Sequence, residues 1–225
     1  MVSALAEVLD PPRPVRRRAN GHLPPPLPPT GGGDDDDQEP PRRRPGLDNA
    51  RLATMFLIAG EVMFFAGLVS SYFVLRSAAA QWPPPLQPRL PVFVTGLNTI
   101  VLLASSLAMW RAVRARSDRA VLSRGLVVAG ALGLLFLVVQ GLEWVRLVSF
   151  GLTVVSGAYG VTFYTLIGLH GLHVVGALAW LAAVVWRVHS GRALEDGAAG
   201  LQACAMYWHF VVALWPVLYV AVYLL

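Results

Sequence analysis

Five stretches of twenty or more mostly apolar residues constrain what this chain can fold into. They run from about Leu52 to Leu75, Pro91 to Trp110, Gly125 to Val148, Gly160 to Val188 and Leu201 to Leu225. About 20 helical residues at 1.5 Å rise cross the hydrocarbon core of a bilayer. Inside that core every backbone N–H and C=O needs a partner, which leaves helices or closed barrels as spans. Barrel strands alternate polar and apolar residues, and these stretches do not, so the sequence predicts an all-α bundle of five transmembrane helices. A hydrophobic content of 56%, only 14% charged residues and a mean hydropathy of +0.57 place the chain outside ordinary soluble domains.

Residues 1 to 48 are different in kind. They hold eleven of the seventeen prolines, the arginine triplets Arg16–Arg18 and Arg42–Arg44, and an acidic block at Asp34–Asp37. No helical or strand period runs through them, and few apolar side chains are present to offset the entropy of ordering. A disordered cytoplasmic tail is expected, with a lipid- or partner-binding arm as the alternative, followed by a membrane domain over residues 49–225. The tail lacks the apolar centre of a signal peptide, so the amino terminus is expected to stay cytoplasmic.

Arginine placement supports that orientation. All 18 basic residues are arginine, and the chain carries a formal charge of +5. With the amino terminus inside, the inner side receives Arg51, Arg111, Arg114, Arg116, Arg119, Arg124, Arg187 and Arg192, and the outer side Arg76, Arg89 and Arg146. That imbalance obeys the positive-inside rule and puts the carboxyl terminus outside. Trp82, Trp110, Trp144 and Trp186 fall near span ends, where interfacial aromatics belong. The basic excess on the membrane part reads as topology signal and contact with anionic lipid, not nucleic-acid binding. The single cysteine, Cys204, excludes an internal disulfide and a thiolate metal cluster. No internal repeat is visible, so an inverted-repeat transporter finds no support.

Four spans carry polar groups that hydrocarbon would not tolerate alone. In the first, Thr54, Glu61 and Tyr72 share a face, with Glu61 about 13 to 15 Å from the inner boundary by helical rise. The third has Gln140 and Glu143 three residues apart, and the fifth has Tyr207, Trp208 and His209. The fourth has His170 and His173, both leaning to the face of Thr162, Leu166, Ala177 and Trp180. Gly168, Gly171 and Gly176 there suggest close approach of neighbouring backbones. Counted by depth, Glu61, His173 and His209 come out level, with His170 and Gln140 further out. The second span offers Thr95, Asn98, Ser105 and Ser106 for hydrogen bonds between helices.

Each group has a structural and a chemical reading. Glu61 is either a hydrogen-bonded packing residue or part of a proton-transfer route. Gln140 and Glu143 read as anchors between helices or to lipid headgroups. The three span histidines could ligate a metal or haem, imidazole being the commonest ligand. A di-iron bundle site, however, brings a Glu-x-x-His pair from each of two helices, and Glu143 is followed at that spacing by Arg146.

Four segments in order carry a family resemblance that covers Arg51 to the carboxyl terminus. They are GEVMFFAG at Gly60 to Gly67, QGLEW at Gln140 to Trp144, SGAYGVTFYTLIGLHGLHVVG at Ser156 to Gly176, and YWHFV at Tyr207 to Val211 with Trp215 and Tyr219. Together they resemble subunit III of the haem-copper terminal oxidases, the cytochrome c and quinol oxidases, in its short five-helix bacterial form. The resemblance makes Glu61 the counterpart of the family's carbodiimide-reactive carboxylate. It implies a subunit of the bacterial inner membrane without a redox centre or cofactor of its own. The haems and copper would lie in subunits I and II. This subunit would pack on subunit I beside its proton-uptake entrance, hold phospholipid and sustain turnover.

Two departures stand out. The aspartate expected after the Phe-Val pair is replaced by Val212, and the family's first two helices are missing, which removes one of the two helix groups flanking its lipid cleft. Pro216 is expected to kink the last span by freeing a backbone carbonyl. An accessory subunit of a nitric oxide reductase and a membrane redox protein with a His-ligated metal remain the competing readings.

Overall fold

A computed structural model describes residues 49–85, 90–190 and 199–225. The expected tail of residues 1 to 48 lies outside them, as do Arg89 and Arg192. The described residues form five long helices and no strand: α1 (Asn49–Ala78), α2 (Val92–Arg114), α3 (Arg119–Ser149), α4 (Gly157–His189) and α5 (Ala199–Tyr219). A π-helical turn, Val220–Leu224, closes the chain. All five helices are long and apolar enough to cross a membrane.

Helices outrun the apolar stretches because polar and small residues continue the helix into the interface. The largest extension is at the start of α3, which begins at Arg119 and not near Gly125. Asp118 sets that start: its side chain accepts from the N–H groups of Ala120 and Val121 at 2.9 and 3.1 Å, satisfying two otherwise orphan donors. A tight turn at Ala115 to Asp118 therefore joins α2 to α3 as a helical hairpin. The hairpin closes tightly where Gly125 meets Ala112, since a Cβ on Gly125 would stand 2.6 Å from the Ala112 methyl.

The last helix is the hub. Helix α5 packs on α1, α2 and α4, while α3 packs on α2 and α4. Half of the apolar window of α5 is buried (50%), against 11% for α1. Trp208 and Trp215 of α5 are almost wholly enclosed, with Phe136, Phe163, Leu166 and Leu102 around them in the core. Trp208 fits because Gly133 faces it; a Cβ there would come within 2.6 Å of the indole. Helix α1 buries just Thr54, Phe65 and Tyr72, so its seat on the bundle is narrow. Lipid is as apolar as leucine, so close packing and hydrogen bonds, not water exclusion, hold such helices together.

One sequence expectation needs correction. Gly171 and Gly176 have no close neighbour, because a Cβ at either would meet nothing within 4 Å; of the three glycines expected at close contacts, only Gly168 comes near another helix, at the Trp144 ring. Pro216 lies within α5, and α geometry gives way four residues later at the π turn, where the Leu225 N–H reaches back to the Val220 carbonyl at 3.0 Å.

The helix ends sort the charge. Arg51, Arg111, Arg114, Arg116, Arg119, Arg124 and Arg187 gather at the end of the bundle formed by the starts of α1, α3 and α5 and the finishes of α2 and α4. Arg76 and Arg146 mark the other end. Three of the tryptophans near span ends lean on partners: Trp110 under the Arg114 guanidinium at 3.9 Å at the arginine-rich end, and, toward the other end, Trp82 between Tyr72 and Tyr159 and Trp144 against Tyr164.

Candidate functional site

Hydrogen bonds across helices organise the interior. Glu61 of α1 and His173 of α4 meet, with 2.9 Å between Oε2 and Nε2 and both side chains less than a fifth exposed (19% and 16%). The His173 Nδ1 lies 2.6 Å from the Leu169 carbonyl, which can only accept, so Nδ1 carries a hydrogen. A hydrogen bond between Nε2 and Oε2 uses one further hydrogen, which either atom can carry. It makes either a carboxylic acid donating to imidazole or an imidazolium donating to carboxylate, and the pair is neutral in both forms. That neutrality is what a low-dielectric interior favours. Phe65 covers the imidazole edge-on at 5.2 Å.

His209 takes a different partner. Its Nδ1 is 2.6 Å from Ser106 Oγ, joining α5 to α2. The depth count that set it level with Glu61 and His173 does not bring the three together. Asn98, from the same stripe of α2, donates to the Phe136 carbonyl of α3 at 3.0 Å. Ser105 turns back to the Leu102 carbonyl of its own helix and bridges nothing.

His170 is fully buried and stacks on Trp215 at 5.0 Å, with Phe136 approaching edge-on. Neither of its ring nitrogens has a hydrogen-bond partner among the described residues. Gln140 donates from Nε2 to Tyr223 Oη at 3.0 Å, fastening α3 to the π turn. Glu143 pairs with Arg146 of its own helix at 3.0 Å and so does not bridge helices. Tyr207 lies against Trp180, while Trp208 is enclosed beside Gly133. Among the described residues, no three His, Cys, Asp or Glu side chains are grouped to hold a metal ion.

Sequence reading overlooked Thr99 and Tyr223. Thr99 accepts from the Trp215 Nε1 at 2.8 Å, and Tyr223 receives Gln140. Tyr223 had a signal: it follows Tyr219 by one helical turn, and Tyr219 itself donates to the Val92 carbonyl at 3.0 Å. Thr99 had none, since a threonine bonded to the carbonyl one turn back looks self-satisfied.

Five apolar helices tied by buried polar bonds define a multi-pass α-helical membrane protein. The chain belongs to the cytochrome c oxidase subunit III family, whose model matches residues 45–225. It is 37% identical over 174 residues to cytochrome c oxidase subunit 3 of Synechocystis sp., covering 76% of this chain and 73% of that one. It is 35% identical over 175 residues to the probable cytochrome c oxidase subunit 3 of Mycobacterium leprae, covering 76% and 86%. The protein of that name from Lemur catta is 34% identical over 181 residues, covering 77% of this chain and 65% of its own. A haem-copper oxidase complex is thereby its setting, with other oxidase subunits as partners.

Proposed function

We propose that the chain is a non-catalytic subunit of an aerobic respiratory oxidase, packing on the catalytic subunit I, with subunit II also in the complex. In this reading it binds phospholipid, steadies the complex and supports proton uptake during oxygen reduction, while haem and copper reside in the partner subunits. It lies in the bacterial inner membrane with its amino terminus cytoplasmic, the arginine-rich end of the bundle facing inward. The observation that carries the reading is how the imidazoles are used. His173 is bonded to Glu61 and Leu169 and His209 to Ser106, while His170 stacks on the Trp215 ring, so the three imidazoles sit among separate neighbours. This spread of the imidazoles supports a reading in which no redox step is assigned to this chain.

Within that role the Glu61–His173 pair is suited to hold one proton between two helices without creating net charge. The test is removal of the chain from the purified complex. Haem and copper content should be unchanged and the initial rate of oxygen reduction largely retained, with activity decaying faster over successive turnovers. Loss of haem or copper with the chain would defeat the proposal.

A further inference from the structure

A cavity of about 450 Å³ lies where the start of α1, the end of α2 and the first half of α5 meet, at the arginine-rich end of the bundle. Its two arginines come from helix ends: Arg51 stands in the first turn of α1 and Arg114 closes α2. Trp110 lies beside them, its ring under the Arg114 guanidinium at 3.9 Å. The walls below are apolar, with Met55, Val113 and Met206. His209 lies about two helical turns, or about 10 Å, further along α5 than Gln202, so the cavity runs inward from the charged helix ends.

Among the described residues neither guanidinium has an acid to answer it. The carboxylates there are taken: Glu61 pairs with His173, Glu143 with Arg146, and Asp118 accepts from the N–H groups that open α3. Both cations are within reach of a guest. Of the Arg51 guanidinium only Nε is sealed and without a partner, its terminal nitrogens stay open, and Arg114 is an exposed residue. Stacking on Trp110 covers one face of the Arg114 guanidinium and leaves its N–H edges free to donate.

Two positive charges at the rim of an apolar cavity select a guest by charge and by shape. A single carboxylate, or a phosphodiester, carries one negative charge and leaves one guanidinium unanswered. A phosphate monoester carries about −1.5 to −2 at neutral pH and offers three acceptor oxygens, enough for a fork from one arginine and a bond from the other. Because the charge sits at the helix ends, the phosphate belongs there and the organic part of the guest against Met55, Val113 and Met206. We propose that this cavity binds an organic phosphate monoester, held by Arg51 and Arg114. Its source is either the head of phosphatidic acid or a soluble ester such as glycerol phosphate. This deepens the phospholipid contact of the proposed function and rests on that reading where the source is lipid.

The experiment uses the complex drawn from native membranes by the tagged full-length chain and washed in detergent. Dihexanoyl phosphatidic acid and glycerol phosphate are the probes, and dihexanoyl phosphatidylcholine, a diester that carries its own cation, is the control; binding is measured by calorimetry. Phosphatidic acid should bind and phosphatidylcholine should not. Binding of glycerol phosphate as well assigns a soluble source, and its failure to bind assigns the lipid. Arg51→Gln or Arg114→Gln should weaken binding about tenfold, the effect of losing one charge-assisted hydrogen bond. Arg51→Lys should recover part of the loss, since it restores the charge without the fork. Arg124→Gln removes a charge from the same end of the bundle but not from the cavity, and should leave binding within about twofold. The proposal is overturned if phosphatidic acid binds no more tightly than phosphatidylcholine, or if Arg124→Gln weakens binding as much as Arg51→Gln does. A high-resolution map with a partner subunit's carboxylate on Arg51 and Arg114 also overturns it. Haem content and oxygen reduction are measured on the same preparation, so failure of this site is distinguishable from failure of the proposed function.

Discussion

Replacing Glu61 separates what the Glu61–His173 pair does for structure from what it does for protons. In Glu61→Gln the amide nitrogen takes the place of one carboxylate oxygen and can donate to His173 Nε2. The imidazole stays held from behind by the Leu169 carbonyl, so one hydrogen bond persists while the movable proton is gone. In Glu61→Leu the Nε2 is left without a partner. Hydrogen bonds to charged or charge-sharing groups contribute about 1.5–3 kcal/mol, and partial exposure of both side chains argues for the low end, near 1.5 kcal/mol. Helix α1 buries few other side chains, so that loss falls on a thin interface. The assay is thermal release of the chain from the purified complex, run as a double-mutant cycle with His173→Leu. Glu61→Gln should stay within about 0.5 kcal/mol of the parent and keep the haem centres and initial electron transfer, whereas Glu61→Leu should show coupling of about 1 kcal/mol to His173. If Gln and Leu destabilise equally, or if the coupling vanishes, the pair is not what fixes α1 on the bundle. Loss of the binuclear centre in Glu61→Gln would contradict the proposed role outright.

Other substitutions test the remaining ties. His209→Leu removes the bond to Ser106 and should lower stability by about 1 kcal/mol, with Ser106→Ala adding little on top; additive losses in thermal unfolding would deny the contact. Gly133→Val drives a side chain into Trp208 and should cost about 1–3 kcal/mol, visible as a lower melting temperature and a shifted tryptophan emission. Asp118→Ala removes the α3 cap and should cost about 1 kcal/mol, with Asp118→Asn recovering most of it; equal losses would show the cap to be idle.

The five helices were legible because spans of this length obey one overriding rule, the satisfaction of backbone groups in hydrocarbon. Their boundaries were less so: Asp118 is an ordinary capping residue, but an apolarity count starts α3 only at Gly125. The Glu61–His173 pairing was within reach, since depth along two antiparallel helices can be counted from either end. The count could not tell which helix face His209 would show, and Ser106 claimed it. Nor could periodicity distinguish His173, which reaches α1, from His170 three residues earlier, which faces α5 and the Trp215 ring. The difference is rotation about the α4 axis, fixed by packing that involves residues more than forty positions away. The α4 glycines misled for a related reason: small residues mark close approach only if their face meets another helix, and Gly171 and Gly176 point elsewhere.

The most direct measurement is of where the metal is. The tagged full-length chain should be drawn from native membranes in a gentle detergent, its haem spectrum and metal content measured, and the chain then released from its partners. The expected result is a complex that carries larger oxidase subunits with haem and copper, all of which stay with those subunits when a colourless chain is released. Haem, copper or iron remaining in stoichiometric amount on the released chain would contradict it.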